Sequence, residues 1–474
     1  MKLIGREKEI KTLTRCYESD QSEFVAIYGR RRVGKTFLVK ELLEDKFTFY
    51  ATGILNGSMS EQLRMWNREN SRFGGGNLEQ ANNWIDAFEN LNALVEQQRK
   101  NGDSKKKVIF LDEVPWMATR NSDFLTGLDH FWNRWASSSK DVLLIICGSA
   151  ASWIINKVVN NRGGLHNRLT CQLLITPFTL KECQLFYESR NIPMTRYQMT
   201  EAYMIFGGIP YYMSLMEPHL SLYQNVDNIY FAQGAALENE FSNLYQSLYE
   251  NADNYIRVIE TLAKKGIGLS RNEIAGGSQI SNGGTLTKIL NDLSISGFIR
   301  KYNSYGQKKR DCLYQLIDPF SLFDVRFRDR HIEIGSDYWL RFSATSAYSV
   351  WSGFSFEKVV LLHLQQIRKK IGISGVLTSS TSWRGNHEDK GVQIDLVIDR
   401  NDNLINLCEI KFASGPYTID KKQYQTLQNK KSAFIYSTKT RKAVQITMIT
   451  TFGLRQNSYS AELVSQVLLD DLFE

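Results

Sequence analysis

Residues 29–36 read Gly-Arg-Arg-Arg-Val-Gly-Lys-Thr, a match to G-x-x-x-x-G-K-[ST]. The apolar run FVAIY (24–28) precedes the string, and the helix-capable segment TFLVKELLE follows from Thr36. No other stretch restricts the fold so tightly, because such a loop works only where a buried strand hands over to a helix N-terminus. Gly29 and Gly34 let the backbone turn without side-chain clashes. The amides of Arg30, Arg31, Arg32, Val33 and the helix start, through Phe37, then face one anion. Lys35 reaches the β- and γ-phosphates of a nucleotide, and the Thr36 hydroxyl ligates Mg²⁺. The expected ligands are ATP and Mg²⁺. The bland alternative is a Gly-rich turn that holds nothing.

A second signal is VIFLDE at 108–113. Four apolar residues predict a buried strand, and Asp112 emerges at its C-terminal end, where open α/β sheets bind ligands. Asp112 is expected to hold Mg²⁺ through water, and Glu113 to polarise the attacking water as a general base. A third is DVLLIICGSA (141–150), another buried strand, which would set the Ser149 hydroxyl beside the γ-phosphate. A plain strand-ending turn remains the alternative there. Arg168 is a candidate partner for the γ-phosphate charge, or an ordinary surface arginine.

The five apolar runs at 24–28, 47–51, 107–111, 141–147 and 171–176 alternate with longer amphipathic segments. That alternation predicts an α/β core with a parallel sheet over residues 1–176. Residues 177–250 lose strand-like runs and read as a helical lid. Residues 251–317 read as a winged helix. Ile256, Ile259, Leu262 and Ala263 share one helical face, and Ser270 with Glu273 forms a capping box. Leu286, Ile289, Leu290 and Leu293 line a third helix, and FIRKY and CLYQLI flank a Lys-rich tip as a hairpin. An aromatic, irregular connector (318–352) leads to a third unit (353–474). This unit opens with a long helix from 353, with strands expected at 391–399, 403–411 and 432–437.

At 474 residues the chain has room for roughly three domains. Its net charge, 58 − 50 = +8, is compatible with a nucleic-acid partner without requiring one. No apolar run reaches the roughly 18 residues that span a bilayer, and the N-terminus lacks a signal peptide's apolar core. Six scattered cysteines without a CxxC pair give neither a zinc pattern nor a disulfide framework; free thiols in a reducing cytoplasm are expected.

With these residues in view, the chain resembles the P-loop ATPases of the AAA+/STAND superclass catalogued in archaea. The matching pieces are IGREKEI (4–10), YGRRRVGKT (28–36), FLDEVPW (110–116), CGSAASW (147–153) and FGGIPYYM (206–213). The resemblance implies that Gly5 and Arg6 lie near the adenine and that Pro210 packs on the base. It also implies a chain that can assemble with further copies of itself when nucleotide is bound. One position departs from the pattern: many relatives have glycine directly before the arginine, where Asn167 precedes Arg168.

Relatives often end in a domain that resembles the restriction-endonuclease fold, and the residues agree. VQIDLVI places Asp395 on an apolar strand, and LINLCEIKF places Glu409 and Lys411 fourteen and sixteen residues later. Alternation sets Glu409 and Lys411 on one face. In this PD-(D/E)xK pattern two carboxylates hold Mg²⁺ or Mn²⁺ against the scissile phosphate while the lysine orients water. Glu357 matches the additional acid that some such nucleases carry. Lys421, Lys422, Lys430, Lys431, Lys439, Arg441 and Lys442, with Tyr417 and Tyr424, form either a phosphate-tracking surface or a solvated helix face. Lys308, Lys309 and Arg310 at the hairpin tip would grip phosphate if the winged helix binds DNA; the alternative is that it packs on the ATPase core. The expected whole is an ATP-hydrolysing switch coupled to a DNA nuclease domain. Its rival is a nucleotide-dependent regulator with an inactive nuclease fold.

Overall fold

The computed structural model describes residues 3–76, 79–100, 105–119, 122–160, 164–165, 167–266, 268–306, 312–330, 337–387, 390–463 and 465–474. The chain divides into two compact units, Met1–Pro177 with Ser247–Glu250, and Phe178–Gln246 with Asn251–Glu474.

The first unit is built on strands β1 (Glu23–Gly29), β2 (Phe47–Thr52), β3 (Lys107–Asp112), β4 (Val142–Gly148) and β5 (Cys171–Ile175). All pair in parallel, in the order β2-β3-β4-β1-β5. Every residue of β3 and β4 is buried, as expected for parallel strands covered on both faces. One face is covered by helices Met59–Asn70, Trp84–Lys100 and Phe124–Arg134, whose rings interlock. Trp66 meets Trp84 edge-on at 5.4 Å, and Trp84 meets Phe124 edge-on at 4.8 Å. The five strands lie where the apolar runs predict, to within a residue or two at each end.

In the second unit, residues 178–246 carry only helical elements among the described residues. Helices Ala252–Ala263, Arg271–Ser278 and Gly284–Ile295 then pack with a three-stranded sheet. That sheet holds β6 (Leu269–Ser270), β7 (Ile299–Asn303) and β8 (Cys312–Leu316), in the order β6-β8-β7. Ser270 caps its helix with the Ser–Glu box. Lys308, Lys309 and Arg310 lie outside the described residues.

The 318–352 segment is more regular than its composition suggests. Pro319–Phe327 and Tyr338–Phe342 are helices, and the long helix begins at Ser346 rather than 353. The aromatics that break the periodicity are themselves the core: Phe327 meets Trp339 at 5.2 Å, and Trp339 meets Trp351 at 5.1 Å, perpendicular. Asp227 supplies the helix start, accepting from the Trp339 and Leu340 amides at 2.6 and 3.1 Å. The long helix stops at Leu362 and resumes at Leu364–Lys370. Between them the His363 ring is turned inward, with Nε2 accepting from the Leu180 amide at 3.0 Å.

The C-terminal sheet contains β9 (Thr378–His387), β10 (Lys390–Arg400), β11 (Leu404–Lys411), β12 (Ala443–Thr450) and β13 (Ser465–Leu468). Its order is β13-β12-β11-β10-β9, antiparallel from β9 through β11 and parallel from β11 through β13. The strand expected at 432–437 is instead the end of helix Lys421–Thr438. The Asp420 capping box launches that helix, and its apolar residues divide by helical period: Leu427 and Phe434 are buried, whereas Tyr436 is 76% exposed. The true third strand is the next apolar run, β12.

Candidate functional site

Strand order decides what meets at the C-terminal edge of the first sheet. β4 lies between β3 and β1, so Ser149, just past β4, sits between the acids that follow β3 and the loop that follows β1. Lys35 is 4% exposed, at the start of helix Lys35–Leu43. Its Nζ donates to the Gly29 and Arg30 carbonyls at 3.1 and 2.9 Å and to Ser149 Oγ at 3.0 Å. Ser149 in turn holds Glu113 at both oxygens, its Oγ donating to Oε1 at 2.5 Å and its amide to Oε2 at 3.0 Å. Lysine, serine and glutamate therefore form one continuous chain of hydrogen bonds.

Beside that chain, Thr36 Oγ1 donates to Asp112 Oδ2 at 2.8 Å, and Asp112 Oδ1 accepts from the Glu113 amide at 3.0 Å. These two oxygens suit a hard divalent cation, which takes hydroxyl and carboxylate ligands. Glu113 holds a left-handed backbone, φ +48°. A glutamate in that region is strained, and the bond pair from Ser149 fixes the carboxylate there.

The loop also fits a polyphosphate. Gly34 has φ +89° and opens the helix, which leaves its first amides free of side-chain cover. Gly29 lies at φ +147°, and a Cβ there would stand 2.2 Å from the Ile175 carbonyl oxygen of β5. Arg32 (φ +68°), Arg31 and Val33 complete the turn, and Phe37 is 38% exposed on the following helix. Arg6, left-handed like Gly5, is buried and donates from Nη2 to the Val33 carbonyl at 3.2 Å, tying the N-terminal segment to the loop. Arg168 is exposed, and its guanidinium makes no hydrogen bond or ion pair with a described loop residue. Pro210 belongs to the second unit, where it opens helix Pro210–Ser214.

The second unit contains a narrow cleft, with about 10 Å³ open to a water-sized sphere, whose walls include Glu357, Lys358, Asp395 and Arg300. Asp395 sits at an irregularity where the register of β10 against β9 shifts, and accepts from Gln393 Nε2 at 2.5 Å. Bulges of this kind re-aim side chains. Glu409 Oε1 pairs with Lys411 at 2.9 Å and Oε2 with Lys430 at 2.7 Å. Burial alone would raise the Glu409 carboxyl, but the two ammoniums outweigh it and hold it below its ordinary value. Glu357 goes the other way. Burial pushes it up to about 7, with Lys358 opposing and the Asp395 and Glu409 charges adding repulsion. Among the described residues no three His, Cys, Asp or Glu side chains cluster closely enough to hold a metal ion. Glu357, Asp395 and Glu409 are thus neighbours rather than an assembled ligand set, because lysines occupy the Glu409 oxygens.

Of the basic residues singled out in this region, Lys430 is engaged with Glu409, and Lys442 with Asp399 at 2.6 Å. Lys421, Lys422, Lys439 and Arg441 are exposed. Sequence reasoning missed Lys358, 3% exposed, and Arg300. The available signal was position: Lys358 is flanked by Phe356, Val359 and Val360 on the buried side of its helix.

Known proteins resemble this chain over different spans. An uncharacterised protein of Methanocaldococcus jannaschii is 25% identical over 431 residues, covering 90% of this chain and 91% of its own length. An uncharacterised ATP-binding protein of the same organism is 42% identical over 43 residues, 9% of this chain and 73% of that one. Among solved structures, a Walker-type ATPase of Pyrococcus abyssi aligns with a TM-score of 0.49 at 16% identity, over 68% of this chain and 96% of that one. The ORC2 protein of Aeropyrum pernix, solved as ADPNP and ADP complexes, aligns with a TM-score of 0.42 at 15% identity, over 70% and 95%. No helix among the described residues is long and apolar enough to cross a membrane. The model of an ATPase domain found predominantly in Archaea matches residues 3–216, a span that contains the whole Lys35–Ser149–Glu113 chain.

Proposed function

We propose that the chain is an ATP-driven switch whose first unit binds and hydrolyses Mg²⁺–ATP and whose C-terminal sheet is a restriction-endonuclease-like module directed at DNA. The observation that carries the ATPase half is the hydrogen-bond chain from Lys35 through Ser149 to Glu113. Lys35 is freed to meet the β- and γ-phosphates when they replace its carbonyl partners. Glu113 accepts the proton of the attacking water, and Ser149 holds that carboxylate in place. Thr36 and Asp112 would hold Mg²⁺, which neutralises charge on the β- and γ-oxygens. Gly5, Arg6 and Pro210 are assigned to the base, and Arg168 to the γ-phosphate. Residues 177–250 are read as the lid, 251–317 as a winged helix and 318–352 as the connector. ATP and DNA are the proposed partners, with nucleotide-dependent self-assembly.

In the C-terminal module, Asp395 and Glu409 are the metal carboxylates, Glu357 the additional acid and Lys411 the water-orienting lysine. The antiparallel β10–β11 pair crossed by the Glu357 helix supports that reading. An inactive module is the rival, favoured by the double lysine engagement of Glu409. Purified protein incubated with single- and double-stranded DNA, Mg²⁺ or Mn²⁺, with and without ATP, separates them. Lys35→Ala abolishes ATP binding or turnover, and retention of both defeats the first half. Asp395→Ala eliminates metal-dependent cleavage, and equal cleavage by both proteins defeats the second.

A further inference from the structure

Glu113 is followed at once by the helix Val114–Met117, a single turn of four residues. So short a helix has little stability of its own, and its final carbonyls have no partners within it. Its neighbours therefore set where the turn lies, and with it the backbone that aims Glu113. From β4, Gly148 backs onto Pro115 so closely that a Cβ there would stand 2.7 Å from the proline Cδ. From β2, Gly53 touches the turn itself. A Cβ there would stand 2.6 Å from the Glu113 carbonyl oxygen and 3.0 Å from Trp116 Cβ. The Gly53 amide donates to the Asp112 carbonyl at 2.9 Å.

The next residue of that exit is held by one side chain. Gln62, 3% exposed on helix Met59–Asn70, accepts at Oε1 from the Ile54 amide at 2.9 Å. Its Nε2 donates to the Ile54 carbonyl at 2.7 Å and to the Trp116 carbonyl at 3.1 Å. One buried amide thus joins the end of β2 to a carbonyl that the turn after Glu113 leaves open. An apolar side chain of the same length would fill the same volume, so what glutamine adds here is bonds. We propose that Gln62 is a positioning residue for ATP hydrolysis, clamping the β2 exit to the turn that carries Glu113. This rests on the reading of Glu113 as the general base. Ser149 grips the carboxylate at its tip, whereas Gln62 acts on the backbone three residues further on.

The test compares full-length Gln62→Met, Gln62→Glu, Lys35→Ala and the parent by steady-state phosphate release and by titration with a fluorescent ATP analogue. Methionine keeps the length and removes every bond. Its kcat falls about tenfold, while KM, nucleotide affinity and Tm stay near the parent values. Gln62→Glu supplies a signature that packing cannot. A protonated carboxyl restores one donor and one acceptor, whereas the ionised form only accepts and meets two carbonyls. The ratio of its kcat to the parent's therefore falls about fivefold or more between about pH 6 and pH 9, and the Gln62→Met ratio stays flat. A Gln62→Met kcat within about twofold of the parent, or a flat Gln62→Glu ratio, overturns the clamp; Lys35-dependent turnover then leaves the ATPase reading standing. A Gln62→Met chain that loses affinity or thermal stability in step with kcat makes Gln62 a residue of the fold and overturns the clamp likewise. Absence of Lys35-dependent phosphate release from the parent overturns the ATPase reading, and the clamp with it.

Discussion

Replacing Ser149 with alanine isolates the step that links the phosphate loop to the base. The hydroxyl is 3% exposed, accepts from Lys35 at 3.0 Å and donates to Glu113 at 2.5 Å. Alanine removes both bonds and leaves the backbone amide on Oε2. Hydrogen bonds to charged groups contribute about 1.5–3 kcal/mol each. The left-handed backbone of Glu113 stores about 1–3 kcal/mol of strain. The two magnitudes match, so losing the hydroxyl bond is enough to let the carboxylate drift from its aim. A loss of about 1.5–3 kcal/mol in transition-state positioning lowers kcat about ten- to a hundredfold. Nucleotide affinity stays close to the parent value, because Lys35 and the loop amides remain. Steady-state phosphate release beside titration with a fluorescent ATP analogue reads both quantities. In a Glu113→Gln background the same change adds little, since both act through one carboxylate. A Ser149→Ala enzyme with kcat within about threefold of the parent, or fully additive with Glu113→Gln, refutes the positioning argument.

Glu113→Gln keeps the fold and traps bound ATP; undiminished phosphate release from that variant removes its role as base. The second unit holds a pH-dependent weakness at Asp324, whose side chain is 2% exposed, accepts from Tyr230 OH at 2.7 Å and has burial pushing its carboxyl up to about 7. A raised folded-state value means the native state holds the proton longer than the unfolded chain. The group therefore costs nothing below about pH 4 and progressively destabilises the fold as pH rises through about 7. Asp324→Asn shrinks the loss of urea stability between pH 5.5 and 8, by up to a few kcal/mol; an unchanged pH slope contradicts the assignment.

The first unit was readable because its signals are local. Continuous apolar runs bounded by turn residues mark β1 to β5, and Gly29, Lys35 and Thr36 belong to one short string. What spacing does not encode is lateral strand order, and only that order sets Ser149 between Lys35 and Glu113 rather than beside a phosphate alone. In the C-terminal region the reading failed where two periods compete. SAFIYS at 432–437 has the composition of a strand, yet it continues a helix already nucleated by the Asp420 box twelve residues upstream. The aromatic 318–352 stretch reads as irregular because its rings pack on several sides at once. Arg300 and Lys358 stayed hidden since Gln315 and the Gly266 carbonyl, which they also bond, lie on other elements, and a cation turned inward has no motif of its own.

Gly29 changes how mutants of the loop should be interpreted. With the Ile175 oxygen 2.2 Å from where a methyl would stand, even alanine wedges the edge strand away from its neighbour. Loss of nucleotide binding in such a variant would report a sprung seam between β1 and β5, a lesion of architecture, whereas the same loss in Lys35→Ala would report chemistry. The first glycine of this turn is thus a joint in the sheet before it is a cradle for an anion.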